Sequence, residues 1–245
     1  MKKEKSFKLN LEKINTPNFF SKYSDSSVDV SWKDEIYKYK KKYKVQALKV
    51  KIKSLLRNPL YRSPDYVKDY YKNWTNHNLK YVNPEEDKAY LAAKLKNKYF
   101  TVNKYAQKRA TLLKMIELIK KLKPKTVLEV GSGVGIYPLL LSCVFPEIKF
   151  TGLELTKEGV AASKDFQKLK VLPEHWKNFI PYKIDDLSGF KKAKFIQASC
   201  LDIPYKDNSF DLVYSCLALE QMDNIKYDAI QEIRRVTKKN VSFIE

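Results

Sequence analysis

A chain of 245 residues, 44% apolar and 13% aromatic, is long enough for one sizeable domain with an appendage and too apolar to be disordered throughout. No stretch approaches the ~20 apolar residues of a membrane span, and Met1–Lys5 runs into polar sequence without a signal-peptide core, so the expected compartment is the cytoplasm. The net charge of +20 is lopsided: residues 1–120 hold 29 Lys/Arg against 12 Asp/Glu, residues 121–245 hold 19 against 16.

A basic front half suits an anionic partner such as nucleic acid. Lysine outnumbers arginine heavily, however, and the bidentate recognition of phosphate favours arginine, so a solvated lysine surface is the competing reading. Cys143, Cys200 and Cys216 are odd in number, widely spaced and set among apolar residues. They read as buried reduced thiols, with no disulfide framework and no metal site.

Residues 1–30 are polar and irregular. From Ser31 to Leu56, Trp32, Ile36, Tyr39, Tyr43, Ala47 and Val50 recur at helical spacing, with Asn58-Pro59 as a stop. A second helix is expected over about 64–76. A third should begin at Asn83-Pro84-Glu85-Glu86 and continue through Tyr90, Leu91, Ala93 and Leu95. A fourth covers about 102–122 and ends before Pro124. Beyond it strands and helices alternate. Strands are expected at Thr126–Val130, Lys149–Leu153, Lys194–Ser199, Leu212–Ser215 and Val241–Ile244, with helices at about 134–145, 157–170 and 225–236. That alternation predicts an α/β fold, a doubly wound and mostly parallel sheet, whose ligand lies beyond the carboxyl ends of the strands.

Four motifs fall at those ends. Glu129-Val130-Gly131-Ser132-Gly133-Val134-Gly135 joins the first strand of the sheet to a helix. It departs from the dinucleotide fingerprint, because Ile136 stands where the third spaced glycine would be. An acid two residues before the first glycine suits an ammonium group and would repel a pyrophosphate. Glu154 closes the next strand, where an acid can accept from ribose hydroxyls. Asp202 follows the third, between Leu201 and Ile203, placed to accept from an adenine amino group. The fourth motif runs from Asn208 through Ser215 to Gln221.

In these motifs, over roughly residues 100–245, the chain resembles the class I S-adenosylmethionine-dependent methyltransferases, a Rossmann-like fold, and especially those acting on small molecules and sugars. The resemblance implies S-adenosylmethionine as cofactor. Glu129, Gly131, Ser132, Gly133 and Gly135 would hold its methionine part, Glu154 with Leu155 the ribose, and Asp202 with Leu201 the adenine. Ser215 to Gln221 would border methyl donor and acceptor. The implied division is a basic, Lys/Tyr-rich helical extension or cap over residues 1–100 and a cofactor-binding domain over 101–245. Two departures stand out. Val171–Lys192, with His175, Trp176 and Tyr182, is an insertion of the length used by binding elements. The family sheet also has two further strands beyond the fifth, so a fragment of a longer protein is expected, with an apolar sheet edge uncovered.

Methyl transfer needs alignment more than a dedicated catalytic group, but a hydroxyl acceptor benefits from a base, and His175 and Glu220 are the candidates. The position after the fourth strand, Tyr214-Ser215-Cys216-Leu217, lacks the Asn/Asp-Pro-Pro-aromatic turn of base-amine methyltransferases. No Pro-Cys pair provides a nucleophile for pyrimidine carbon. The expected reaction is therefore methylation of an oxygen or nitrogen atom on a small-molecule or glycan-like acceptor. The alternatives are an RNA methyltransferase that uses the basic front half, and a binding protein that keeps the fold without the activity.

Overall fold

The computed structural model describes residues 90–95, 98–103, 106–172, 176, 179–180, 184–222 and 225–244, with residues 37, 41–42, 44–45, 48–49 and 51–52 of the basic segment. Those last positions are helical and exposed, in keeping with the first expected helix. The second expected helix, about 64–76, lies outside the described residues. The chain divides into two units, residues 1–49 with 85–107 and residues 50–84 with 108–245.

The first unit contains a correction. The third expected helix was to run through Tyr90–Leu95, but Tyr90–Leu95 is a strand (β1), paired antiparallel with Lys98–Asn103 (β2), Leu91 opposite Val102 and Ala93 opposite Phe100. Six residues such as Tyr-Leu-Ala-Ala-Lys-Leu fit either period. The aromatic and β-branched run Tyr99-Phe100-Thr101-Val102, two residues further on, supplies the pairing partner that decides it. The fourth helix accordingly starts later than expected, as α1 over Ala106–Leu122.

The second unit is built on one parallel sheet. Its elements are β3 (Thr126–Val130), α2 (Ile136–Val144), β4 (Lys149–Glu154), α3 (Lys157–Lys168), β5 (Lys194–Gln197), β6 (Phe210–Cys216), α4 (Lys226–Val236) and β7 (Thr237–Ile244). The strand order is β5-β4-β3-β6-β7, so the chain reverses direction across the sheet between β3 and β6, which is where such folds bind ligands. The bounds follow from local chemistry. Thr156 caps α3 by accepting from the Gly159 N–H, Glu158 sits in its first turn, and Pro138 falls within the first turn of α2, where its missing N–H costs nothing.

Alternation sorts the strand residues onto two faces. Leu128, Val130, Leu153 and Val213 lie on one, packed with Ala229, Ile233 and Val236 of α4 and with Cys200, Ile203, Phe210 and Leu219. The opposite face carries Glu129 and its register partner Tyr214, both buried. The inserted segment is anchored at several points. Leu172, Trp176, Phe179, Ile180 and Phe190 are buried, and the Trp176 ring lies 4.5 Å from that of Phe166. Gln167 of α3 donates to the carbonyls of Phe190, Lys191 and Ala193, tying a 3-10 turn at Ser188–Lys192 to that helix. All three cysteines are buried and outside any disulfide. No described helix is long and apolar enough to cross a membrane. At the far edge, Val241 and Phe243 of β7 remain 41% and 43% exposed.

Asp211 of β6 fixes the start of β3. Its Oδ2 accepts from the N–H groups of Lys125 and Thr126 at 2.9 and 3.3 Å, and Lys239 of β7 lies 3.1 Å from Oδ1. The bond from the Lys125 N–H, aided by Lys239, holds this carboxyl below the usual carboxylate range. Asp211→Ala should cost about 2 kcal/mol, read as a lower urea midpoint with an unchanged slope. A group with a depressed folded value stabilises only while ionised, so the deficit should shrink as pH falls below about 4. A deficit that persisted unchanged at pH 3 would show that packing, and not charge, is responsible.

Candidate functional site

Strand β3 delivers Glu129 to the carboxyl end of the sheet, and the chain then turns through three glycines, Gly131, Gly133 and Gly135, all at positive φ. At Gly131 the requirement is double: φ is 77°, and an added Cβ would lie 2.6 Å from the Cβ of Ala218 in the segment after β6. The two loops flanking the switch point are in direct contact there.

The donors of the turn point inward. Gly131 and Ser132 N–H both donate to the Leu153 carbonyl at 2.9 Å, and Gly133 N–H donates to Glu154 Oε2 at 3.0 Å. Gly135 N–H closes on the Ser132 carbonyl. A phosphate cradle needs such donors facing a ligand, and these are already used by the end of β4.

Two buried carboxyls flank the turn. Glu154, 4% exposed, accepts from the Thr156 N–H and hydroxyl through Oε1, at 2.9 and 2.8 Å, and from Gly133 through Oε2. It braces the turn to the start of α3 and keeps capacity for one more donor at Oε2. Glu129, 2% exposed, accepts from the Tyr214 hydroxyl at 3.1 Å through Oε2. Burial pushes the Glu129 carboxyl up to about 8, with the Tyr214 hydroxyl opposing and the Glu154 charge adding to the rise. At neutral pH it is chiefly protonated, and a cation beside it would ionise it.

Around this pair lie groups suited to a ligand. Ser132 Oγ is buried and has no hydrogen-bond partner, and Gly152 lacks a Cβ where that oxygen sits, an added one lying 2.7 Å away. Leu155 and Leu201, just beyond β4 and β5, are exposed large apolar side chains at 39% and 41%, and Asp202 is exposed beside the second. A carboxyl that wants a cation, an unsatisfied hydroxyl and two uncovered leucines with an adjacent acid fit a ligand carrying an ammonium group at one end and a flat ring at the other.

The structure thus brings Glu129, Gly131, Ser132, Gly133, Gly135 and Glu154 together and sets Leu155, Leu201 and Asp202 at the neighbouring strand ends. Ser215 is fully buried in β6, level with Val130 and Phe243. Glu220 is exposed on a 3-10 turn, Leu219–Gln221, that follows Leu217 in a left-handed conformation at φ 53°. His175 and Tyr182 lie outside the described residues.

Sequence reasoning missed the supports. Tyr214 is one, and Tyr137 is another, linked to Thr111 of α1 and to Cys216 by hydrogen bonds. Arg235 and Glu232 of α4 are a third: Arg235 donates to the carbonyls of Ile203 and Tyr205 and to Asp207, while Glu232 accepts from the Ile203 N–H, so the loop that presents Asp202 is clamped. A tyrosine in a strand buried throughout was the available signal, but only the register places it opposite Glu129.

The family model described as a methyltransferase domain matches residues 128–244. The chain is 32% identical over 124 residues to a demethylmenaquinone methyltransferase of Porphyromonas gingivalis, covering 50% of this chain and 43% of that protein. It is 25% identical over 118 residues to the uncharacterized methyltransferase YcgJ of Bacillus subtilis, covering 48% and 38%. The matched region thus spans less than half the length of either curated relative. Among solved structures, a SAM-dependent methyltransferase from Aquifex aeolicus is similar at 20% identity and a TM-score of 0.40, covering 55% of this chain and 71% of that one.

Glu129→Gln separates charge from shape. Below about pH 4 the wild-type carboxyl is protonated folded and unfolded, and the two proteins should be equally stable. As pH rises, the unfolded chain ionises near 4.5 while the folded chain holds its proton until about 8, so the wild type should lose stability relative to the variant through that window. Above pH 8 the variant should lead by on the order of 3–5 kcal/mol. Urea midpoints between pH 4 and 9 would show it, and a gap that did not change with pH would overturn the assignment.

Proposed function

We propose that residues 128–244, the stretch matched by the methyltransferase-domain model, form a class I S-adenosylmethionine-dependent methyltransferase domain, and that this chain transfers a methyl group from S-adenosylmethionine to an oxygen or nitrogen atom of a small-molecule or glycan-like acceptor. The observation that carries the reading is the pairing of Glu129, a carboxyl kept neutral by burial, with a glycine turn whose N–H groups face the sheet. That combination suits a ligand with an ammonium group and gives a phosphate nothing to bind.

When bound, S-adenosylmethionine supplies a methyl carbon activated by a sulfonium leaving group. Glu129 accepts from the ammonium group, with Ser132 in the same turn, and the remaining acceptor capacity of Glu154 Oε2 serves a ribose hydroxyl. Asp202 accepts from the adenine amino group, and Leu155 and Leu201 cover the ring. None of these groups moves a proton in the reaction; they align the ligand and exclude water. Ser215 borders the methyl donor from β6. On the acceptor side, Glu220 takes the proton released by a hydroxyl or amine, with His175 as the other candidate. Demethylmenaquinone is the acceptor that the Porphyromonas protein's name states. It is not carried over, because the match covers 43% of that protein.

Calorimetric titration with S-adenosylmethionine and with its demethylated product tests the reading. Micromolar binding of both is expected, and Asp202→Ala should weaken both about tenfold without lowering the melting temperature, since one hydrogen bond at an exposed group is lost. Absence of binding to either ligand would sink the proposal. Binding without transfer of labelled methyl to any of a panel of sugars, phenols and amines would leave a cofactor-binding protein without the activity.

A further inference from the structure

We propose that Tyr214 is the positioning residue for the ammonium end of the cofactor: its hydroxyl ties down one oxygen of Glu129 and leaves the other to the ligand. The inference rests on the reading of Glu129 given above and extends it to a residue of the fourth motif to which the sequence assigned no role. Tyr214 is fully buried, its Cα is the register partner of Glu129 across β3 and β6, and its hydroxyl donates to Oε2 at 3.1 Å. A tyrosine hydroxyl buried at this depth needs a partner, and Glu129 is the one it has.

The geometry assigns different tasks to the two carboxyl oxygens. With Oε2 accepting from Tyr214, the carboxyl proton of the ligand-free protein resides on Oε1. An arriving ammonium group takes that place: the Oε1–H bond breaks, the proton passes to buffer, and an N–H of the ligand donates to Oε1 in its stead. Cofactor binding is then coupled to release of one proton. The groups facing this carboxyl are Tyr214 from β6, Glu154 from β4 and Tyr137 from α2, the last bonded to Cys216. Glu154 opposes ionisation of Glu129 and Tyr214 favours it, so the tyrosine sets how readily the proton leaves.

Removing the hydroxyl therefore has a signature that loosened packing lacks. Tyr214→Phe should weaken binding of S-adenosylhomocysteine about tenfold between pH 6 and 7, and the pH at which affinity levels off should move up. Methylthioadenosine, which has the same adenosine but no amino-acid arm, should bind wild type and variant alike. Titrations at pH 7.5 in two buffers of different ionisation enthalpy count the proton. Against a Glu129→Gln baseline, wild type should release a fraction of a proton and Tyr214→Phe a larger fraction, closer to one.

Equal losses for both ligands, or an unmoved pH profile, would make Tyr214 a packing residue and overturn the proposal. If wild type does not prefer S-adenosylhomocysteine to methylthioadenosine, or Glu129→Gln leaves that preference intact, the reading of Glu129 itself fails. The two failures are thus distinct. Should Tyr214→Phe fail to fold, 3-fluorotyrosine placed at position 214 alone makes the converse test. As a stronger donor it should move the levelling-off pH down, and no movement would again overturn the proposal.

Discussion

The carbonyl of Leu153 and the carboxylate of Glu154, at the end of β4, take up the three consecutive backbone donors of Gly131, Ser132 and Gly133. Most other features of the site follow from that attachment. A glycine turn after a parallel strand is ordinarily an anion site, because its N–H groups and the following helix dipole point outward together. Here the donors are folded back onto the sheet, and the acid of β4 is spent partly on the turn and partly on capping α3 through Thr156. What remains at this strand end are acceptors: the carboxyl of Glu129 and one free position on Glu154. Under the proposed reading the turn serves a cation with hydroxyl-bearing attachments, where its relatives in other folds serve an anion.

The same attachment bears on a glycine outside the motif. Seating the turn on β4 brings Ser132 Oγ against position 152, where the ring of its β5 register partner Phe195 also lies, so that any side chain there would collide, and it brings the turn against Ala218 across the switch point. The cost is a carboxyl in a low-dielectric environment, which holds its proton and resists ionisation. Such a group destabilises the ligand-free fold as pH rises, and the strain is relieved by whatever cation occupies the site. Stability and binding therefore draw on the same titration, a frequent property of functional acids.

Legibility in the sequence divided along physical lines. The sheet was readable because its central strands β3, β4 and β6 are short buried runs between turn signals, and β3 was placed to the residue. The acids were readable because strand ends fix their position without knowledge of register. Tyr214, Thr156 and Arg235 were not, because each acts through contacts 2 to 85 residues away in the chain, and nothing in Phe210–Cys216 alone indicates which strand residue faces Glu129. Strand β1 of the hairpin was misread as a helix for a related reason. A six-residue apolar pattern carries too few turns to fix its period, and pairing with the next segment settled it.

The two sides of the site are built differently, and that difference bears on specificity. Under the proposed reading the cofactor side is fastened, the glycine turn by β4 and the segment carrying Asp202 by the Arg235–Glu232 clamp. On the proposed acceptor side the chain leaves β6 through Leu217 in a left-handed conformation, at a cost of order 1 kcal/mol for a non-glycine residue, and enters a short 3-10 turn that exposes Glu220. Gln221 donates to the Leu217 carbonyl and Leu217 N–H donates to Ile244, so this strained geometry is held in place by its neighbours. A backbone outlier kept by the surrounding structure at this strand end points to selection for shape, and under the proposed reading the choice of acceptor is built there, in a segment whose sequence departs from the nucleic-acid methylating patterns.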